Sequence, residues 1–282
     1  MKYSIVIPAH NEEKFIKGTL ISVSEQTLQP SEVIIVNDHS TDSTEKIIDD
    51  FCSEHLRFKK FNTTSSDEHM PGSKVVNAFK QGYDQLQNPY DVIVKLDADL
   101  ILPNDYFESV IELFKKNPKA GVVGGFAYEE ENGEWKLNHP MNKDHVRGAF
   151  KAYSKACFQA MGGLKSSMGW DTVDELLARY HGYKIITLED LKVKHLRPTG
   201  KSYNAKARTL QGEAMFKMRY GFLITCIASA KMASKQGNPQ IFKDNLKGFM
   251  NAWRSGIHPI VNKKEGAFIR KHRIKGILQK LV

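Results

Sequence analysis

Three acidic clusters hold the groups in this sequence most able to do chemistry. They are Pro8-Ala9-His10-Asn11-Glu12-Glu13, Asn37-Asp38-His39-Ser40-Thr41-Asp42 and Asp97-Ala98-Asp99, and each follows a short run of aliphatic, mostly β-branched residues. Carboxylates gathered on one rim repel one another unless they bind cations, contact a ligand or stay hydrated. Mg2+ and Mn2+ suit the Asp-x-Asp spacing, because such ions take one or two carboxylates together with phosphate oxygens and water. Ordinary caps and turns also produce Asp-x-Asp, so its place directly after a buried strand is what gives it weight. No Gly-x-Gly-x-x-Gly follows any of the runs and no Walker-type loop is present, which disfavours a dinucleotide fold of the dehydrogenase kind. Phosphate must then be held by metal and basic side chains.

Alternating strands and helices must position these clusters. Tyr3–Pro8, Glu32–Asn37 and Asp91–Leu96 read as strong buried strands, and Arg57–Asn62 as a weaker one. Between and after them, Glu13–Ser24, Ser43–Ser53, Ser73–Leu86 and Asp105–Lys116 show helical spacing. Strand alternating with helix implies βαβ units on a mostly parallel sheet, whose ligands lie beyond the carboxyl ends of the strands. Further on, Gly121–Glu129 and Lys184–Leu188 read as strands, and Ser154–Met161 and Asp171–His181 as helices. Beyond Ser202 the chain turns helical and basic.

The 282 residues carry a formal net charge of +9, unevenly spread. Residues 1–190 hold 21 basic and 29 acidic side chains, whereas residues 191–282 hold 20 basic and 3 acidic. A basic carboxy-terminal third points to an anionic partner such as nucleic acid, phosphates or an acidic membrane surface; its plainer reading is a solvated helical face. The longest uncharged stretch, between Arg219 and Lys231, is too short for a membrane span, and the amino-terminal residues do not read as a secretion signal. Three scattered cysteines, Cys52, Cys157 and Cys226, form no disulfide framework or zinc ribbon and fit a reducing cytosol.

The stretches SIVIPAHNEEKF (Ser4–Phe15) and EVIIVNDHSTDST (Glu32–Thr44), with Asp97-Ala98-Asp99 after a strand, resemble family 2 glycosyltransferases. GWDTVDELLARYHGY (Gly169–Tyr183) is similar to that family's acceptor-site helix. The likeness covers roughly residues 3–200 and implies an α/β, GT-A-type fold: a mostly parallel, Rossmann-like sheet flanked by helices, with a helical, basic carboxy-terminal extension. It divides the chain into a catalytic domain over 1–200, with a nucleotide-binding half (1–117) and an acceptor half (118–200), and a basic helical region over 201–282. Two positions depart from the family pattern. Trp170 precedes Asp171 where Glu is usual, and His39 follows Asp38 where Gly is common.

Carried onto these positions, the resemblance implies that Pro8, Ala9 and Glu12 cradle the nucleoside and that Asp38 accepts from the base imide, which favours uracil or thymine over cytosine. It sets Lys74 near the base and diphosphate, and Asp97 at the ribose and sugar. It also implies Asp99 and His195 as ligands of Mg2+ or Mn2+, and Asp171 as catalytic base. Trp170 and Asp174 are candidates for the acceptor side. The same residues have plainer roles available: Asp38 and Asp42 as caps of the helix at Ser43, Asp171 as a helix cap, Asp174 as a first-turn charge, Trp170 as packing, Lys74 as a solvated lysine and His195 as structural. His10, His139 and His145 show no ligand spacing.

The expected activity is inverting transfer from a nucleoside diphosphate sugar, UDP-sugar favoured, to a hydroxyl acceptor in cell-surface polysaccharide or lipid-linked glycan assembly. Phe222, Leu223 and Ile224, with Phe268, Ile269, Ile274, Ile277, Leu278, Leu281 and Val282 of the tail, form apolar stripes flanked by Lys and Arg. They suggest a cytoplasmic enzyme, peripheral on the inner face of an anionic membrane, with no nucleic acid partner. Two other classes share some of these features. A metal-dependent nucleotidyltransferase would typically have a Gly-rich basic loop where this chain has Asn-Glu-Glu, and a non-catalytic binder of anionic polymers has no need of three acidic strand ends.

Overall fold

The computed structural model describes residues 1–64, 72–138, 145–197 and 205–279. Its sheet is built from β1 (Tyr3–Ala9), β2 (Glu32–Asp38), β3 (Phe58–Thr63), β4 (Val92–Leu96), β5 (Leu100–Ile101), β6 (Ala120–Glu131), β7 (Glu134–Leu137), β8 (Phe150–Ser154) and β9 (Lys184–His195). Their order is β3-β2-β1-β4-β8-β6-β9-β5, with β7 hairpinned onto β6. Across β3, β2, β1 and β4 every pairing is parallel. At β8 the pattern changes: it runs antiparallel to both β4 and β6, while β6 and β9 are again parallel. The sheet is therefore parallel in its first half and mixed in its second.

Ordinary physical chemistry explains the first half. Val33, Ile34, Ile35 and Val36 are all buried, as expected of a parallel strand covered on both faces. The covering helices are α1 (Ile16–Ser24), α2 (Thr44–Glu54), α3 (Ser73–Tyr83) and α4 (Tyr106–Lys116). Because β1, β2 and β4 are parallel, their carboxyl ends, and with them the three acidic clusters, share one edge.

In the second half, α5 (Lys155–Ala160) and α6 (Trp170–Tyr180) flank the sheet. The strand expected at Lys184–Leu188 continues to His195. Its later half alternates Leu191, Val193 and His195 inward with Lys192 and Lys194 outward, the period of a half-covered strand. Glu189 and Asp190 interrupt the apolar signal, which is why the extension is hard to read.

The carboxy-terminal helices are α7 (Ala205–Lys217), α8 (Phe222–Lys235), α9 (Gln240–Arg254) and α10 (Lys263–Leu278). Two glycines let α7 and α9 cross in backbone contact: a Cβ on Gly212 would lie 1.8 Å from the Asn245 oxygen, and one on Gly248 1.9 Å from the Thr209 oxygen. Met215, Met218, Tyr220, Ile224, Val261 and Ile269 join the same buried cluster as the sheet residues. Phe268 of α10 sets its ring 5.6 Å from that of Tyr180 on α6. Part of the expected apolar stripe thus packs inward (Ile224, Phe268, Ile269). Phe222, Leu223, Ile274 and Leu278 stay exposed, and Leu281 and Val282 lie outside the described residues. The expected boundary at 200/201 also falls outside them.

Candidate active site

The turns after β1 and β2 are tied to each other. Asn11 N–H donates to Ser40 Oγ (3.1 Å), Thr41 N–H to Asn11 Oδ1 (2.8 Å), and Ser43 N–H to Glu13 Oε2 (3.0 Å). His10 Nδ1 lies 2.6 Å from the Asp38 carbonyl oxygen. Asn11 and His39 both sit at positive φ, 54° and 52°. That is the left-handed region which glycine enters freely and other residues rarely do, so His39 holds a turn that glycine would make without strain. Pro8 and Ala9 end β1, and Ala9 is in register with Asn37. Asp38 ends β2 and is buried at 6% exposure. Asp42 takes the cap role for α2, its Oδ1 accepting from Thr44 N–H at 3.0 Å.

Glu12 reaches across this edge to a residue far along the chain. Its Oε2 accepts from Arg197 Nη2, while its own N–H donates to Thr44 Oγ1 at 2.7 Å. Burial pushes the Glu12 carboxyl up to about 7; Arg197 pulls it down, and Asp99, Asp97 and Asp42 push it further up. Such crowding of acids is what a cation or a basic arm relieves.

Asp97 and Asp99 follow β4 and face different partners. The Asp97 N–H donates to the Ala149 oxygen at 2.7 Å, and its carboxylate pairs with the buried Lys95 ammonium. Burial raises the Asp97 carboxyl against the pull of Lys95, and the Asp99 charge adds to the rise. Asp99, 7% exposed, stands opposite His195, 5% exposed, with Oδ1 and Nε2 3.4 Å apart. The β5–β9 pairing enforces this meeting, because Leu100 is in register with His195 and the Leu196 N–H donates to the Asp99 oxygen at 2.9 Å.

The Asp99 carboxylate is the kind of oxygen donor that Mg2+ and Mn2+ take, whereas the His195 imidazole is a softer donor, better matched to Mn2+ than to Mg2+. Among the described residues no group of three or more His, Cys, Asp or Glu side chains is placed to enclose an ion. The pair therefore suits an ion that completes its sphere with ligand phosphate and water, as Mg2+ usually does. On that donor chemistry the residues fit, with Asp99 and His195 in place to hold the ion.

Helix α6 carries Asp171 in its first turn. Its carboxylate has no hydrogen-bond partner among the described residues. Trp170 lies differently from a sugar platform. It is 7% exposed, with the Lys95 and Lys151 ammonium groups 5.1 and 5.9 Å from its ring centroid, and it packs on Gly148. These contacts are those of a packing residue. Asp174 is held inside the fold. It is 1% exposed, and its oxygens accept from Lys151 Nζ (both 3.0 Å) and the Tyr153 hydroxyl (2.6 Å). Asp174, one turn after Asp171, points into the sheet. Burial pushes its carboxyl up to about 6 despite the Lys151 ammonium. Lys74 stands in the first turn of α3, and its ammonium has no carboxylate partner among the described residues. The start of α3 adjoins the loop that precedes α6: Ser166 Oγ donates to the Ser73 oxygen at 3.4 Å, and a Cβ on Gly72 would sit 3.3 Å from Trp170 Cδ1.

Sequence reasoning missed the segment that joins these parts. Arg147 donates to Glu129 Oε1 at 3.0 Å and lies 3.4 Å from His195 Nδ1. Next to it, Gly148 allows Trp170 and Asp171 to approach: a Cβ there would be 2.8 Å from Trp170 Cζ2 and 3.1 Å from Asp171 Cβ. Ala149 receives the Asp97 N–H. Three consecutive residues thus link His195, Asp171 and Asp97. His145, left unassigned by its spacing, lies 3.1 Å from Glu175 Oε2, and His139 is outside the described residues.

Comparisons with known proteins bear on the family and the fold. The family described as Glycosyl transferase family 2 matches residues 4–164. A poly-beta-1,6-N-acetyl-D-glucosamine synthase of Staphylococcus epidermidis is 34% identical over 123 residues, covering 43% of this chain and 27% of that protein. Its Staphylococcus aureus counterpart is 32% identical over 122 residues, with the same coverage. The aligned stretch therefore spans 27% of these curated relatives' length. Among solved structures, the mannosyltransferase PcManGT from Pyrobaculum calidifontis, in complex with GDP-Man and Mn2+, superposes with a TM-score of 0.59 at 16% identity, covering 100% of this chain and 81% of that one. S. aureus TarS 1–349 in complex with UDP-GlcNAc gives 0.59 at 18% identity, covering 95% and 78%. These likenesses establish the GT-A fold.

Proposed function

Because the chain belongs to glycosyl transferase family 2, we propose that it moves a sugar, with inversion, from a UDP-sugar to a hydroxyl acceptor. One observation carries this reading: Asp171, whose carboxylate has no hydrogen-bond partner among the described residues, begins α6 beside Gly148, and the next residue, Ala149, receives the Asp97 N–H. Pro8, Ala9, Glu12 and Asp38 would hold the nucleoside, Asp97 the ribose and sugar, and Lys74 the diphosphate side. Asp99 and His195 would hold Mg2+ or Mn2+, which when bound neutralises the charge of the departing diphosphate.

An acceptor hydroxyl has a pKa far above 7, so its proton must leave as the new bond forms. In the proposed step the acceptor oxygen attacks the anomeric carbon. The bond from that carbon to the diphosphate oxygen breaks, its electron pair stays with the diphosphate, and the hydroxyl proton passes to an Asp171 carboxylate oxygen. A single displacement from the face opposite the leaving group inverts the anomeric centre. The oxocarbenium-like transition state carries positive charge, which the carboxylates of the edge favour.

The polysaccharide synthases of Staphylococcus support a polysaccharide as acceptor, and the UDP-GlcNAc complex of TarS supports uridine; GDP-mannose is the natural competitor. Incubating the chain with a panel of nucleotide sugars and Mn2+ should release UDP from a UDP-sugar at the highest rate. Inertness toward every UDP-sugar, with GDP release from GDP-mannose, would replace the uridine assignment.

The membrane side of this reading rests on α8 to α10. Phe222, Leu223 and Trp253 are 56%, 69% and 61% exposed, and Arg254, Arg270, Lys271 and Lys275 lie on the same helices. Among the described residues no helix is long and apolar enough to cross a membrane. The proposed location is therefore peripheral, on an anionic cytoplasmic face. In a flotation assay at low salt the chain should rise with phosphatidylglycerol vesicles, and Leu223→Glu with Trp253→Glu should leave it at the bottom. Failure of the wild-type chain to float removes the membrane from the proposal.

A further inference from the structure

Lysine is an unusual choice for the middle of a covered sheet. Lys95 on β4 and Lys151 on β8 are nevertheless direct cross-strand partners, 1% and 0% exposed, with both ammonium groups against the Trp170 ring. Like charges so placed repel. Each is answered by its own acids, Lys95 by Asp97 and Lys151 by Asp174 and Glu175. Taking an ammonium out of water costs several kcal/mol, and well-packed apolar residues in place of a buried ion pair are often as stable or more so. Stability alone therefore gives little reason for Lys151, whereas geometry gives a specific one.

Lys151 Nζ lies 2.5 Å from the Asp171 backbone oxygen, 3.0 Å from each Asp174 oxygen and 3.1 Å from Glu175 Oε1. All of these acceptors belong to the start of α6. That helix has no side-chain hydrogen bond at its N-cap, where Gly169 sits at positive φ. Gly148 lets the same turn approach the sheet closely, and Lys151, three residues further on, ties it down. We propose that Lys151 is a positioning residue of the transfer: its ammonium fixes the first turn of α6 on β8 and so sets where the Asp171 carboxylate meets the acceptor hydroxyl. The inference rests on the role proposed above for Asp171, and Lys151 itself touches no substrate.

Lys151→Met alone strands Asp174 and Glu175 without their cation. Joined with Asp174→Asn, it removes one buried charge of each sign and keeps a hydrogen-bonding partner for the Tyr153 hydroxyl. This double variant should bind UDP with Mn2+ as the wild type does by calorimetry. Its kcat for transfer should fall about a hundredfold, the scale of loss for a displacement near 1 Å. Amide hydrogen exchange over residues 170–174 should accelerate. Binding and exchange need no turnover, so they test the anchoring even if the wild-type chain transfers nothing, a result that would instead remove the role of Asp171. A double variant that binds UDP, exchanges at the wild-type rate in α6 and keeps wild-type kcat would overturn the proposal.

Discussion

Asp171→Asn should lower kcat for sugar transfer about a thousandfold, within the range that a positioned general base supplies, and leave UDP affinity close to wild type. In free energy that is about 4 kcal/mol of barrier. The substitution preserves the shape of the side chain and the backbone oxygen that Lys151 holds, so the loss reports the missing proton acceptor. Glu175 and Asp174 cannot replace it, because Lys151, His145 and Tyr153 occupy their oxygens inside the fold. Steady-state transfer to an acceptor, with UDP release followed by chromatography, gives the value. A kcat within tenfold of wild type would move the base elsewhere.

Asp99→Ala should have the second largest effect, cutting Mn2+-dependent transfer by about a hundredfold or more, since charge neutralisation at the leaving diphosphate is worth several kcal/mol. The loss should appear in UDP binding as well. Wild-type affinity should rise on adding Mn2+, and the variant's should barely respond. Arg197 sharpens the expectation, because it remains paired with Glu12 and its Nε lies only 3.9 Å from Asp99 Oδ2. A variant that keeps the full response to Mn2+ would show that the ion is held by other groups.

Much of this candidate site was legible because the residues proposed to do chemistry follow strands whose composition is unmistakable. Val33-Ile34-Ile35-Val36 is buried on both faces, and such runs announce themselves. Once β1, β2 and β4 are read as parallel, Glu12, Asp38 and Asp97 must share an edge. Helix spacing was less informative, because Asp171 and Asp174 lie one turn apart and spacing does not say which points inward. Lys151 and Tyr153, on a strand with no recognisable pattern, decide it. Trp170 was ambiguous for the same reason: two buried lysines and Gly148 make it a packing residue. A signal for those lysines existed in Val92-Ile93-Val94-Lys95-Leu96, a buried run interrupted by a charge that demands a partner. In the basic third, composition could not separate Ile224 and Ile269, which pack inward, from Leu223 and Leu278, which do not.

The central claim is that Asp99 and His195 hold a divalent ion beside a uridine diphosphate bound along this edge. Crystals grown with Mn2+ and UDP, measured at the manganese absorption edge, test it most directly. An anomalous peak within bonding distance of Asp99 and His195, shared with the diphosphate oxygens, is the expected result. UDP bound along the edge with no peak at those two side chains would contradict it.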